Sequence, residues 1–225
     1  MWKRLIGFTL LPLIACAQRE DLPRPSLADT LLGSLNPYRT CYDVRFYELS
    51  VRIDPQKRTI QGEVLCRFIW AGGADTIQID LDQSLRVEGI WIDNVKAQYR
   101  RIPGTRAIWV AIPESKKWVP GTIHHWRVIY GGHPRSAPMP PWDGGLVWQK
   151  TSMGAPWIGV ACQGLGASVW WPLKDHLSDE PDSVHITICV PPPLRAVANG
   201  QPTSATVKGK DSCFTYRITY PINTY

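Results

Sequence analysis

From Tyr42 onward the chain alternates apolar and polar residues with a period of two, which is the pattern of strands with one buried face. Tyr47-Leu49-Val51-Ile53 form one such run and Ile60-Gly62-Val64-Cys66-Phe68-Trp70 a second. Asp54-Pro55-Gln56-Lys57 lies between them, so the two runs predict a long antiparallel hairpin. Further strands are predicted over 76–81, 85–92, 107–112, 122–130, 146–149, 157–161, 185–190, 194–198 and 214–220. The turns carry Gly72-Gly73, Asp93-Asn94, Pro103-Gly104, Pro120-Gly121 and Met153-Gly154. No segment of ten residues beyond position 40 holds a helical period, and no repeat is present. The expected fold is all-β, with large twisted antiparallel sheets.

Residues 133–145 interrupt the pattern with four prolines and two glycines, which predicts a long surface excursion. Trp142, Trp148 and Trp157 flank it, either lining a groove or stitching the loop to the sheet. The chain contains 11 tryptophans, and a thick β core accounts for most of them more simply than a ligand-binding face.

The first forty residues read differently. Met1-Trp2-Lys3-Arg4 is a basic start and residues 5–15 are apolar but too short to span a bilayer, so residues 1–15 are expected to be an export signal. Leu13-Ile14-Ala15-Cys16 resembles the bacterial lipobox, in which Cys16 would carry the lipid; cleavage after Ala17 is the alternative. Either processing route predicts an exported protein, and the lipobox predicts a bacterial outer-membrane or periplasmic lipoprotein attached through its anchor. Residues 16–40, rich in Pro, Leu and Ser, are expected to be a tether with one helical turn near 26–32. The β domain is expected to occupy 41–225.

Charge and cysteine content narrow the classes. Removing Lys3 and Arg4 lowers the net charge from +6 to +4, and the remaining charges are scattered, which gives nucleic-acid binding no support. With Cys16 set aside, Cys41, Cys66, Cys162, Cys189 and Cys213 remain. Cys66 and Cys189 lie in strand-like runs and are expected to be buried thiols. A disulfide among the five is open, without a preferred pair.

The candidate chemistry lies in Val160-Ala161-Cys162-Gln163-Gly164, followed by Trp170-Trp171-Pro172 and Asp179-Glu180-Pro181-Asp182. One polar amide, Gln163, ends an apolar run and enters a glycine-rich turn that lets another backbone approach closely. Such a turn can be a binding wall or a plain connection in which Gln163 caps backbone groups. Asp175, His176, Asp179, Glu180 and Asp182 lack the spacing of a calcium loop and are expected to form a solvated turn.

These motifs, together with Trp142-Asp143-Gly144-Gly145 and the strand ending Val190-Pro191, resemble the N-terminal domain of the aminopeptidase N family of zinc metallopeptidases. The resemblance covers the chain from about Tyr42 to its end. It implies a β-saddle packed over a catalytic domain, with Gln163 touching the free amino group of a peptide substrate. The family's His-Glu-x-x-His zinc helix and Gly-x-Met-Glu-Asn motif do not occur in the sequence, and His124, His125, His133, His176 and His185 do not substitute for them. Adjacent His124 and His125 point to opposite faces of a strand. No catalytic or metal-binding residue is therefore assigned; zinc is implied only for the full-length family member, and this chain alone is expected to be inactive. Asp179-Glu180-Pro181 departs from the family in two ways, a longer gap before it and Ser183-Val184 after it. The chain ends at Tyr225 without a closing turn, which predicts either truncation before the catalytic domain or a natural final strand. The competing class is a freestanding surface lipoprotein whose β-sandwich binds a glycan or a protein.

Overall fold

A computed structural model describes residues 24–114 and 117–223. The signal-like residues 1–15 and Cys16 lie outside this range. Among the described residues the order begins with two short helices, α1 (Leu27–Gly33) and α2 (Pro37–Thr40), and continues with thirteen strands. The strands are β1 (Tyr42–Asp54), β2 (Thr59–Trp70), β3 (Thr76–Asp80), β4 (Leu85–Ile92), β5 (Val95–Lys96), β6 (Tyr99–Arg101) and β7 (Ala107–Ala111). They continue with β8 (Ile123–Gly132), β9 (Gly145–Lys150), β10 (Pro156–Ala161), β11 (Ser183–Val190), β12 (Gln201–Lys208) and β13 (Asp211–Ile218). The all-β expectation holds.

The predicted hairpin is the spine of the molecule. β1 and β2 pair antiparallel from Tyr42↔Trp70 to Asp54↔Thr59. The Asp54 carboxylate closes the turn by accepting from the N–H groups of Gln56 and Lys57 at 3.0 and 3.1 Å. Along β2, Ile60, Val64, Cys66, Phe68 and Trp70 are buried while Gln61, Glu63 and Arg67 are exposed. Each such aliphatic or aromatic burial stabilises the fold by about 1.5–3 kcal/mol before entropy is counted.

Eight strands form one sheet in the order β12-β13-β11-β1-β2-β8-β4-β5. The sheet is mixed: β11 lies parallel to β1, with Tyr47 beside Val184 and Arg52 beside Cys189. The expected antiparallel sheets are present with the β1-β11 pair parallel, a detail that alternation does not carry because it specifies which face is buried and not strand direction. β3-β7-β6 form a second sheet. Ile77, Ile79, Ile108 and Val110 of that sheet share one core with Leu49, Val64, Phe68 and Trp126 of the large one.

β3 is covered on both sides. Its Gln78 and Asp80 turn toward the helices, where Gln78 accepts from Asn36 at 2.8 Å and donates to Leu31 O at 3.0 Å. Asp80 meets Arg39 at 2.6 Å with both side chains sealed from solvent. The expected tether therefore folds from Ser26 on. Ser26 and Asp29 form a capping box that starts α1, and Arg39 anchors α2 to the sheet.

Two other local expectations change. Residues 194–198 are irregular instead of a strand, and the strand of that region is β12, whose residues are all exposed and so carry no burial pattern. Cys189 is not a thiol: it is joined to Cys213, its direct partner across β11 and β13. Cys41 and Cys66 are buried free thiols, and Cys162 is half-buried and free.

Candidate functional site

The candidate site is the turn that leaves β10. After Ala161 the chain reverses through Cys162-Gln163-Gly164-Leu165-Gly166 and enters a 3-10 turn at Ala167–Val169. The Cys162 carbonyl accepts from the N–H groups of Leu165 and Gly166 at 3.1 and 2.8 Å. Gly164 and Gly166 both have positive φ, 71° and 76°, a conformation that an L side chain adopts only with strain.

Two charged groups hold this turn. Arg106, the residue before β7, donates through Nη1 to the Leu165 carbonyl and to Ser168 Oγ at 3.4 Å. Its Nε pairs with Asp82 at 3.4 Å, and Asp82 in turn donates its N–H to Ser168 O at 2.8 Å. Asp175 approaches from the other side. Its carboxylate accepts from Ser168 N–H at 2.9 Å, and its own N–H donates to Asp80 at 3.1 Å. A Cβ on Gly166 would fall inside the Asp175 carboxylate, so that glycine is required by space as well as by φ.

Gln163 stands at the tip of this clamped turn. It is exposed, and its side chain forms no hydrogen bond among the described residues. The strand end is capped by the Cys162 carbonyl, not by the Gln163 amide. The neighbouring Cys162 thiol is pushed up to about 11, chiefly by burial, with the Asp175 charge adding to the effect. Cavities of ≈ 320 and ≈ 380 Å³ lie against Leu165, the first between α1 and the Arg106 side, the second beside Gly164, Asp175 and His176.

The tryptophan pair serves as an anchor. Trp171 is buried against Tyr47 with ring centroids 5.0 Å apart, and Trp170 meets it edge-on at 6.2 Å. Near the proline loop, Trp148 packs on the core while Trp142 and Trp157 are exposed, so only Trp148 acts as a stitch.

The acidic turn differs from the solvated one expected. Asp175, Asp179 and Pro181 are buried, whereas Glu180 and Asp182 are exposed. Asp179 accepts from Val44 N–H and pairs with Lys174 inside the fold. Lys174 also donates to the Tyr42 carbonyl at 2.6 Å. The acidic signature thus ties the downstream end of the site loop to the first residues of β1.

Among the described residues no three His, Cys, Asp or Glu side chains converge as a metal site would require. His124 donates to or accepts from Asp93 and Thr122, at 2.6 and 2.8 Å, and stacks on Trp118. His185 lies against Phe46 on the outer face of the large sheet, where desolvation and then Arg217 lower its affinity for a proton. These residues do not fit zinc, and no step is assigned to a metal held by them. Arg106 and Lys174 carried no signal in the sequence. Each acts on a partner reached only through the fold, Leu165 being 59 positions from Arg106 and Tyr42 132 from Lys174.

No family model and no curated protein sequence matches the chain. Solved structures do. An M1 zinc metallopeptidase from Deinococcus radiodurans superposes with a TM-score of 0.65 at 21% identity, covering 86% of this chain and 42% of that one. The same enzyme bound to a Tyr-Ser-Ala substrate gives 0.66 at 21% identity, over 86% and 43%. Yeast LTA4 hydrolase in complex with bestatin gives 0.64 at 18% identity, over 96% and 32%. The chain has the fold of the N-terminal β domain of M1 zinc metallopeptidases. It spans about two fifths of the length of the Deinococcus proteins it matches.

Proposed function

We propose that this chain is the substrate-facing, non-catalytic β domain of an exported zinc aminopeptidase, which releases N-terminal amino acids from peptides. The observation that carries the reading is the free Gln163 amide, exposed at the tip of a turn that Arg106 and Asp175 hold from both sides. An amide oxygen without an internal partner accepts a hydrogen bond from a substrate ammonium and needs no rearrangement to do so. It brings no full charge, so selectivity for a free N-terminus also requires carboxylates from the peptidase domain. The zinc and the general base belong to that domain as well. Residues 1–15 export the protein and Cys16 carries its lipid anchor.

The test joins this chain to its peptidase domain in one polypeptide. Gln163→Ala is expected to raise KM for amino-acid amides about tenfold, the loss of one hydrogen bond to a charged group, with zinc content unchanged. A KM equal to that of the parent removes Gln163 from the substrate site. A reading frame after Tyr225 that lacks Gly-x-Met-Glu-Asn and His-Glu-x-x-His removes the aminopeptidase reading itself and favours the freestanding binding protein.

A further inference from the structure

The β9-β10 hairpin leaves an edge open along β10, and the ladder shows which groups lie on it. Leu146 of β9 turns its main chain away from β10: its N–H donates to Arg135 O at 2.8 Å, and its carbonyl accepts from Ala137 N–H at 2.9 Å. Leu146 faces Val160 in the register. Their pair is therefore a non-hydrogen-bonded one, and the N–H and C=O of Val160 also point outward. By alternation the same holds for Ile158, and for the carbonyl of Pro156. Among the described residues these groups have no hydrogen-bond partner.

A groove of ≈ 470 Å³ runs along this edge. Residues 156–160 form one wall without a gap. Consecutive residues of a strand point to opposite faces, so a groove touching all of them follows the strand's edge and not a face. Residues 194–199 line it as well, together with Ile53, Trp170, Ile188 and Val190. Arg195 is the one charged residue in that lining, and it forms no ion pair among the described residues. Both edges of the large sheet are blunted. β5 is two residues long, and β12 carries Pro202, an irregular register beside it and Lys208 at its end.

We propose that the edge of β10 binds an extended polypeptide segment of another protein as an added strand, apolar at alternate positions and carrying one carboxylate opposite Arg195. Main-chain groups at Ile158 and Val160 supply the pairing, the apolar lining accepts alternate side chains, and Arg195 sets the register through charge complementarity. This site is separate from the Gln163 amide and does not depend on that reading.

The probes are acetylated and amidated hexapeptides with Val or Ile at alternate positions and a single glutamate moved along the series. Their blocked ends give Gln163 no ammonium to bind. Titration of the whole chain is expected to give saturable binding for the peptides with glutamate in one position, with the Ile158 and Val160 amides protected from hydrogen exchange. Val160→Pro removes an outward N–H without touching the β9 ladder and is expected to weaken binding at least tenfold. Arg195→Glu is expected to reverse the preference from the glutamate peptide to its lysine counterpart, and it serves if the proline variant does not fold. Absence of saturable binding, equal affinity for both variants and the parent, or occupation of the edge by a second copy in a stable dimer would overturn the proposal.

Discussion

Lys174 and Asp179 form an ion pair inside the fold, each side chain only 5% exposed. The pair lies at the base of the loop that carries Gln163, because Lys174 also donates to Tyr42 O and Asp179 accepts from Val44 N–H, both at the start of β1. Removing one partner strands the other charge away from water. Asp179→Ala is therefore expected to destabilise the domain by about 3–5 kcal/mol, read from urea unfolding. Asp179→Asn keeps an acceptor for Val44 and should cost less. A loss under about 1 kcal/mol for Asp179→Ala, the range of exposed pairs, would return the acidic turn to solvent.

Burial holds two thiols protonated well past neutral pH. Cys162 is pushed up to about 11 and Cys41 to about 12, in both cases mainly by desolvation, against an ordinary value of 9.0. A group whose folded value is raised contributes stability that is complete below its unfolded value and is lost as pH rises. Stability is thus expected to fall between about pH 9 and about pH 12, by at most about 1.4 kcal/mol for each tenfold weakening of a thiol's acidity on folding, with a smaller share from the half-buried Cys162. Alkylation followed by peptide mapping supplies the check: at pH 8 the native protein should leave Cys41, Cys66 and Cys162 unmodified. Rapid modification of Cys162 at pH 8 would mean that the site turn opens readily.

The sequence made the core legible and left its ties obscure, for a physical reason. Alternation over Tyr47 to Ile53 and Ile60 to Trp70 records side chains that must avoid water, so the central hairpin follows from local pattern alone. β12 escaped because its residues are all exposed, and the β1-β11 contact escaped because strand direction leaves no mark on burial. Gln163 stood out as an isolated amide in a glycine-rich turn. Arg106 and Asp175, which hold that turn, looked like any surface charges until the fold brought β7 and the acidic loop to either side of it. Gly164 and Gly166 announced a turn, but only the packing shows that they have different tasks.

The disulfide follows the same logic. Cys189 and Cys213 are direct partners on adjacent strands with Cα atoms 4.0 Å apart, a juxtaposition that spacing in the sequence does not reveal. The bridge closes a loop over a separation of 24 residues. Chain-entropy reasoning assigns such a closure about 3 kcal/mol. Reduction, or paired replacement by serine, is expected to lower the free energy of unfolding by about that much. Mass spectrometry after alkylation in denaturant without reductant should find these two cysteines protected. An unchanged unfolding midpoint after complete reduction would show that β13 is held by its ladder alone.

Gly164 and Gly166 separate strain from clamping within the site itself. Both have positive φ, so alanine at either position carries the left-handed penalty of about 1–2 kcal/mol. Around Gly164 a Cβ meets nothing within 4 Å, and Gly164→Ala should cost no more than that penalty. At Gly166 the added Cβ collides with the Asp175 carboxylate, which is itself fixed by Ser168 N–H and linked to Asp80. Gly166→Ala is expected to cost about 3 kcal/mol or more, since overpacking adds about 1–3 kcal/mol to the backbone strain. It should also displace the turn, so that Cys162 becomes reactive toward alkylation at pH 8 while Gly164→Ala leaves it protected. Equal costs for the two variants would mean that Asp175 yields, and that the turn bearing Gln163 is held by its backbone conformation instead of by its neighbours.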